Sequence, residues 1–266
     1  MEHEQLGQEE KLPKKKKIKS IVILSGVMAC VFAASIFAAS IVWSMFSVQG
    51  NGSLGMTEYV GLSDSVNLEI DQINANNIKV TVNKLLRNKI AIRSDKNILE
   101  HLSVEILEDN IVIKDERGGV IEPTVFEILI GSQISQLTIS GMYTADINNI
   151  TDGGDFSMYL TGAGNVNIDG ADIGRLATVI SGAVNVKLAG SADFVEYDAN
   201  GACTIDAFSL VAEEANVRAS GASEIKVFAN EKIKVNSTGA STIIYDGTAT
   251  VTGDTLNSSM LKKRQK

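Results

Sequence analysis

A short phrase, Ser, Thr or Asn followed by Gly and usually Ala, recurs six times between residues 140 and 240. Its glycines are Gly141, Gly162, Gly182, Gly201, Gly221 and Gly239, spaced by 21, 20, 19, 20 and 18 residues. Near-constant spacing of this kind is left by a stack of equal structural units, each of which buries its apolar face against the next.

The positions around each glycine repeat as well. Four residues on stand Ala145, Val166, Val186, Ile205, Ile225 and Ile243, and six residues on stand Ile147, Ile168, Leu188, Ala207, Val227 and Tyr245. Two residues before it come Ile139, Leu160, Ile180, Ala199, Ala219 and Ser237. Polar residues such as Asn165, Asn185, Thr204, Glu224 and Thr242 fill the places between. Alternation with a period of two, where a helix would need 3.6, predicts strands with one buried face. The expected fold is therefore all-β, a β-solenoid of about 20 residues per coil, stacked at the strand spacing of about 4.8 Å. The glycines suit bends with positive φ or close backbone approach. The Ser, Thr or Asn before each glycine is expected to bond the turn with its side chain.

Residues 21–48 contain no charged residue and no proline, and a helix of that length crosses the roughly 30 Å hydrocarbon layer. The stretch is longer than the usual apolar region of a cleaved secretory signal, which is the alternative reading. Lys11, Lys14, Lys15, Lys16, Lys17 and Lys19 precede it and the next basic residue is Lys79, so the positive-inside bias places the N-terminus in the cytoplasm. The chain divides into a basic tail (1–20), a transmembrane helix (21–48) embedded in the lipid bilayer and a flexible linker (49–57). Strand-rich opening coils or a cap (58–130), the repeats (131–256) and a disordered basic tail (257–266) follow. Residues 104–114, turning at Glu108-Asp109-Asn110, read as a hairpin. Beyond the span, 28 acidic residues face 18 basic ones, which argues against nucleic acid as a partner.

The glycine phrases with alternating flanks, the closing Tyr245-Asp246-Gly247 and the strand-rich lead-in resemble the bacterial family described as putative auto-transporter adhesin, head GIN domain. The resemblance covers residues 60–260. It implies a right-handed parallel β-helix outside the cytoplasmic membrane, with no established activity and no catalytic residues to carry over. Met142 in place of Ala and Asn200 in place of a hydroxyl residue are the departures.

No reaction centre is legible. His101 and Cys203 are far apart in sequence and no acid–serine arrangement accompanies either, and one histidine with one cysteine cannot assemble a zinc site. Cys30 lies in the apolar run, so no disulfide joins it to Cys203. Asp152, Asp155, Asp169, Asp172, Asp193 and Asp206 recur near turns without the nine-residue spacing of calcium-binding rolls. Gly162-Ala163-Gly164 lacks the third glycine and helix of a nucleotide loop. Neither a cofactor nor a metal is expected, and the chain is read as a non-enzyme. The expected role is a membrane-anchored envelope protein presenting its strands for binding or assembly, with an envelope glycan, a protein or a second copy as partner. A carbohydrate-active enzyme and an envelope-stress sensor are the alternatives.

Overall fold

The computed structural model describes residues 47–150, 153–255 and 259–265. The basic segment 1–20 and the apolar run lie outside them, apart from Ser47 and Val48, which fall in strand β1 (Ser47–Gln49). Ser47–Lys266 form one unit. Within it, seventeen strands belong to a single sheet.

The alternating residues pair in the register their spacing demands. Strand β11 (Met142–Asn148) lies parallel to β12 (Asp155–Gly201), setting Ala145 opposite Val166. Parallel ladders carry the file on from Val186, also in β12, through Ile205 of β13 (Thr204–Gly221), Ile225 of β14 (Glu224–Ser237) and Ile243 of β15 (Thr242–Asp246). Upstream it continues into Ile78 of β4 (Asn74–Val82) and Phe126 of β9 (Phe126–Ile130). Every member of the file from Phe126 to Ile243 is buried, as are Ile147, Ile168, Leu188, Ala207 and Val227 two positions further on. Burying each large aliphatic side chain supplies roughly 1.5–3 kcal/mol, so these files hold the sheet together.

The glycines bend the chain without ending the ladder. All six have positive φ, from +77° at Gly239 to +123° at Gly201. The amide of the following alanine donates to the glycine carbonyl one repeat earlier: Ala163 to Gly141 at 2.9 Å, Ala202 to Gly182 at 2.9 Å, Ala222 to Gly201 at 2.8 Å. Because pairing runs on through the bends, β12 is 47 residues long and contains Gly162 and Gly182.

This corrects the expected fold. The chain is all-β, but its strands form one continuous curled sheet, a half-barrel, in place of a right-handed parallel β-helix. Part of that sheet is antiparallel: β2 (Leu54–Val60) with β5 (Lys89–Asp95), β5 with β9, and β6 (Leu102–Leu107) with β7 (Asn110–Asp115). The transmembrane helix expected over residues 21–48 falls outside the described residues, apart from Ser47 and Val48. The described helices are a 3₁₀ turn, Lys84–Leu86, and the four-residue α1, Lys96–Leu99, and no helix of the described residues is long and apolar enough to cross a membrane. The β6–β7 hairpin does turn at Glu108 and Asp109, with Glu108 at φ +53°.

Two segments read as loose are held. The linker 49–57 contains the end of β1 and the start of β2, and the residues between are pinned. Gly50 donates to the Glu122 carbonyl at 2.9 Å, Gly52 to Asp95 Oδ1 at 2.6 Å, and Asn97 to the Gln49 carbonyl at 2.8 Å. In the tail expected to be disordered, β17 (Met260–Lys263) runs parallel to β15 and places Leu261 opposite Ile243. Ser259 and Leu261 repeat Ser241 and Ile243 after 18 residues, the interval of the preceding repeat. That alternation is the signal the lysine-rich composition hid.

Candidate functional site

The inward positions are filled by the core, so chemistry toward a partner falls to the outward ones. Five residues after each of the first five glycines, the outward file is polar and its charges alternate. Arg93 faces Glu127, Glu127 faces Lys79, Lys79 faces Asp146 and Asp146 faces Asn167. Further along, Lys187 faces Asp206 and Asp206 faces Lys226. The contacts follow the register: Arg93 to Glu127 at 3.0 Å, Lys79 to Glu127 at 3.9 Å, Asn167 to Asp146 at 2.8 Å and Lys226 to Asp206 at 3.4 Å. Bonding to Glu224 and the charge of Asp206 together raise the Lys226 ammonium above the ordinary lysine value. Beside this file, Asn185 donates to Asn165 at 3.0 Å.

A second cluster centres on Glu196, whose carboxylate accepts from Arg175 at 2.7 Å and from both terminal nitrogens of Arg218. Arg175 also lies over the Phe194 ring at 4.6 Å. Both guanidiniums remain nearly half exposed, so solvent screens the pairs. Replacing Glu196 by Gln is expected to cost no more than about 1 kcal/mol, measured by denaturant unfolding. Next to it, Asp198, Arg218, Asn236 and Asp254 line an open hollow of about 330 Å³.

The six glycines are brought together as one file, as a structural element. The residues before them act differently from expectation. The Ser140 hydroxyl does bond the turn, donating to Asp71 Oδ1 at 2.7 Å and accepting from the Gln72 amide at 2.9 Å. In later repeats the main-chain carbonyls of Asn200, Ser220 and Thr238 accept instead. Their donors are Cys203, Ser223 and Ser241, two residues after the glycine and buried. These groups also reach the glycine carbonyl one repeat back, at 3.6 Å from Cys203 Sγ and 3.3 Å from Ser223 Oγ. Gly-Ala-Cys, Gly-Ala-Ser and Gly-Ala-Ser spell this file out in the sequence, although the period-two pattern does not mark it as a bonding group. Burial pushes the Cys203 thiol up, away from the thiolate.

The remaining candidates stay apart. His101 is exposed just before β6 while Cys203 is in the core. Asp155 and Asp172 border a small cavity with Gln133 and Asn149, Asp169 and Asp206 border a hollow beside Lys187, and Asp152 lies outside the described residues. Among the described residues no three His, Cys, Asp or Glu side chains come together to hold a metal ion.

The sequence pattern of the family described as putative auto-transporter adhesin, head GIN domain, matches residues 71–249. The chain belongs to this family. That head GIN domain match takes in all six glycine bends and most of the outward files. No curated protein matches the chain. A solved putative adhesin from Bacteroides fragilis is similar to it with a TM-score of 0.68 and 17% identity, over 82% of this chain and 100% of that one. A putative lipid binding protein from Parabacteroides distasonis reaches 0.60 at 17% identity, over 82% and 100%. A putative adhesin from Parabacteroides merdae reaches 0.57 at 16%, over 82% and 99%. At such identities the likeness speaks to the fold alone.

Proposed function

We propose that this chain is a non-catalytic, membrane-anchored envelope protein that works by presenting its curled sheet to a partner, in the manner of an adhesin or scaffold. The observation that supports this most is the outward file from Arg93 to Lys226. It offers donors and acceptors at the strand spacing of about 4.8 Å, already fixed by contacts with one another. An extended, repetitive and hydroxyl-rich partner such as an envelope glycan can match that period along many repeats. The alternation of sign leaves little net local charge to attract a simple polyanion. The lysines before residue 21 support an outer location for residues 47–265, with residues 21–48 as the anchor, and the family description supports an adhesive role.

The test is retention of the full chain, in detergent, on insoluble cell-wall glycan and on envelope extracts. Retention on glycan that falls at least about tenfold in Asp206→Ala with Lys226→Ala, a loss of about 1.4 kcal/mol, supports the reading. Failure to retain any glycan or protein contradicts it. Turnover of an envelope polysaccharide abolished by Asp254→Asn would contradict the non-catalytic part.

A further inference from the structure

The edges of the sheet, and not its outward files, carry a second inference. One row of ladders begins at β2 and runs through β5, β9, β4, β11, β12, β13, β14 and β15 to end at β17. Another begins at β6 and runs through β7, β3 (Ser65–Asp71), β10 (Gln133–Ile139), β12, β13 and β14 to end at β16 (Thr250–Thr255). Among the described residues β2, β6, β16 and β17 each pair on one side only. Open strand edges are templates for another strand unless charge or cover prevents it.

Here charge distinguishes the two ends. β2 carries Glu58 and no basic residue, whereas β17 carries Lys262 and Lys263 and no acidic residue. At the opening end Glu58 stands exposed on β2. At the closing end Lys262 and Lys263 stand exposed on β17. Pairing of two like ends is opposed by repulsion, while opening against closing end is favoured. Both ends also expose apolar groups: Leu54, Met56 and Val60 on β2, and Met260 on β17. Strand directions agree with such a contact. Two antiparallel steps bring β2 back to the direction of β17, so those edges meet as a parallel pair, and the single antiparallel step at β6 makes β6 and β16 an antiparallel one.

We infer that the closing edge strand β17 is a docking surface for the opening edge strand β2 of a second copy of this chain. The contact is heterologous, so it propagates into an open head-to-tail series. It refines the assembly part of the proposed function and is independent of glycan binding, which uses the outward face.

The test uses the full chain in membranes, with Cys30 and Cys203 replaced by Ser and with Met56→Cys and Met260→Cys added. A short bismaleimide is expected to give a ladder of dimers, trimers and larger species, and each single-cysteine chain is expected to stay largely monomeric. Lys262→Glu with Lys263→Glu should reduce the ladder at least about tenfold, about 1.4 kcal/mol, with the melting temperature unchanged. Mixing in a chain carrying Glu58→Lys should restore it. A monomeric double-cysteine chain, dimers from a single-cysteine chain, or a ladder indifferent to charge reversal would each overturn the inference. Glycan retention that survives loss of the ladder leaves the proposed binding role standing.

Discussion

Gly182→Val is expected to cost about 3 kcal/mol or more and to lower the melting temperature by roughly 6–12 °C. Two independent penalties meet at this position. Its φ is +121°, a region that costs a non-glycine residue about 1–3 kcal/mol. In addition, a Cβ there would lie well inside contact distance of the Gly162 carbonyl oxygen, a main-chain atom that cannot rotate away. That region of the chain is already fixed, since the Gly182 carbonyl itself accepts from the Ala202 amide. The obstruction recurs at Gly221, whose Cβ would meet the Gly201 oxygen at 2.5 Å. By contrast, Asn185→Ser loses one exposed side-chain bond to Asn165 and should change stability by less than about 0.5 kcal/mol. Urea unfolding of the two variants side by side reads the difference. Equal midpoints would remove the glycine file from the account.

Asp95→Ala is expected to cost about 3 kcal/mol and to release the strap that precedes β2. Asp95 is fully buried, and its carboxylate accepts from the Gly52 amide at 2.6 Å, the Thr124 amide at 2.7 Å and the Thr124 hydroxyl at 2.7 Å. Its removal deletes three hydrogen bonds to a charged acceptor, each of the stronger kind at about 1.5–3 kcal/mol before water replaces it. Burial by itself would raise the carboxyl's pKa, but the bonds from Thr124 and Gly52 outweigh it and the value falls below the ordinary 3.8. A carboxyl lowered on folding stabilises fully above its unfolded value, and that contribution is lost as pH falls through the folded one. Amide exchange at Gly52 and Thr124 should therefore be slow at neutral pH and accelerate only below about pH 4. In Asp95→Ala exchange should be fast throughout. Protection at these amides that is unaffected by the substitution would contradict the role given to Asp95.

Much of the interior was legible because period-two alternation, anchored on each glycine, says which side chains share a face. The files through Ile205 and Ile225 follow from it directly. The sheet's continuity was not, since nothing in a Ser-Gly-Ala phrase tells whether the ladder stops at the bend or passes through it. The antiparallel opening strands β2, β5 and β6 carry the same alternation as parallel ones, so direction was hidden. The strap was hidden for a different reason: Gln49 to Gly55 is small and polar, as a free tether would be, and its partners Asp95, Asn97 and Glu122 lie more than 40 residues away. At the bends, the Ser, Thr or Asn before each glycine was the expected bonding group, whereas in the later repeats the bonding groups are the buried Cys203, Ser223 and Ser241 two residues after it. The alternating charges from Arg93 to Lys226 come from different strands and become a file only when the register is known.

The most direct test of the register is through-space contact between isoleucine methyl groups in selectively labelled protein. Cross-peaks linking Ile205 to Ile225 and Ile225 to Ile243, with none from Ile205 to Ile243, are the predicted result. Absence of the two neighbouring contacts, or pairing of Ile205 directly with Ile243, would contradict the parallel 20-residue register on which every file rests.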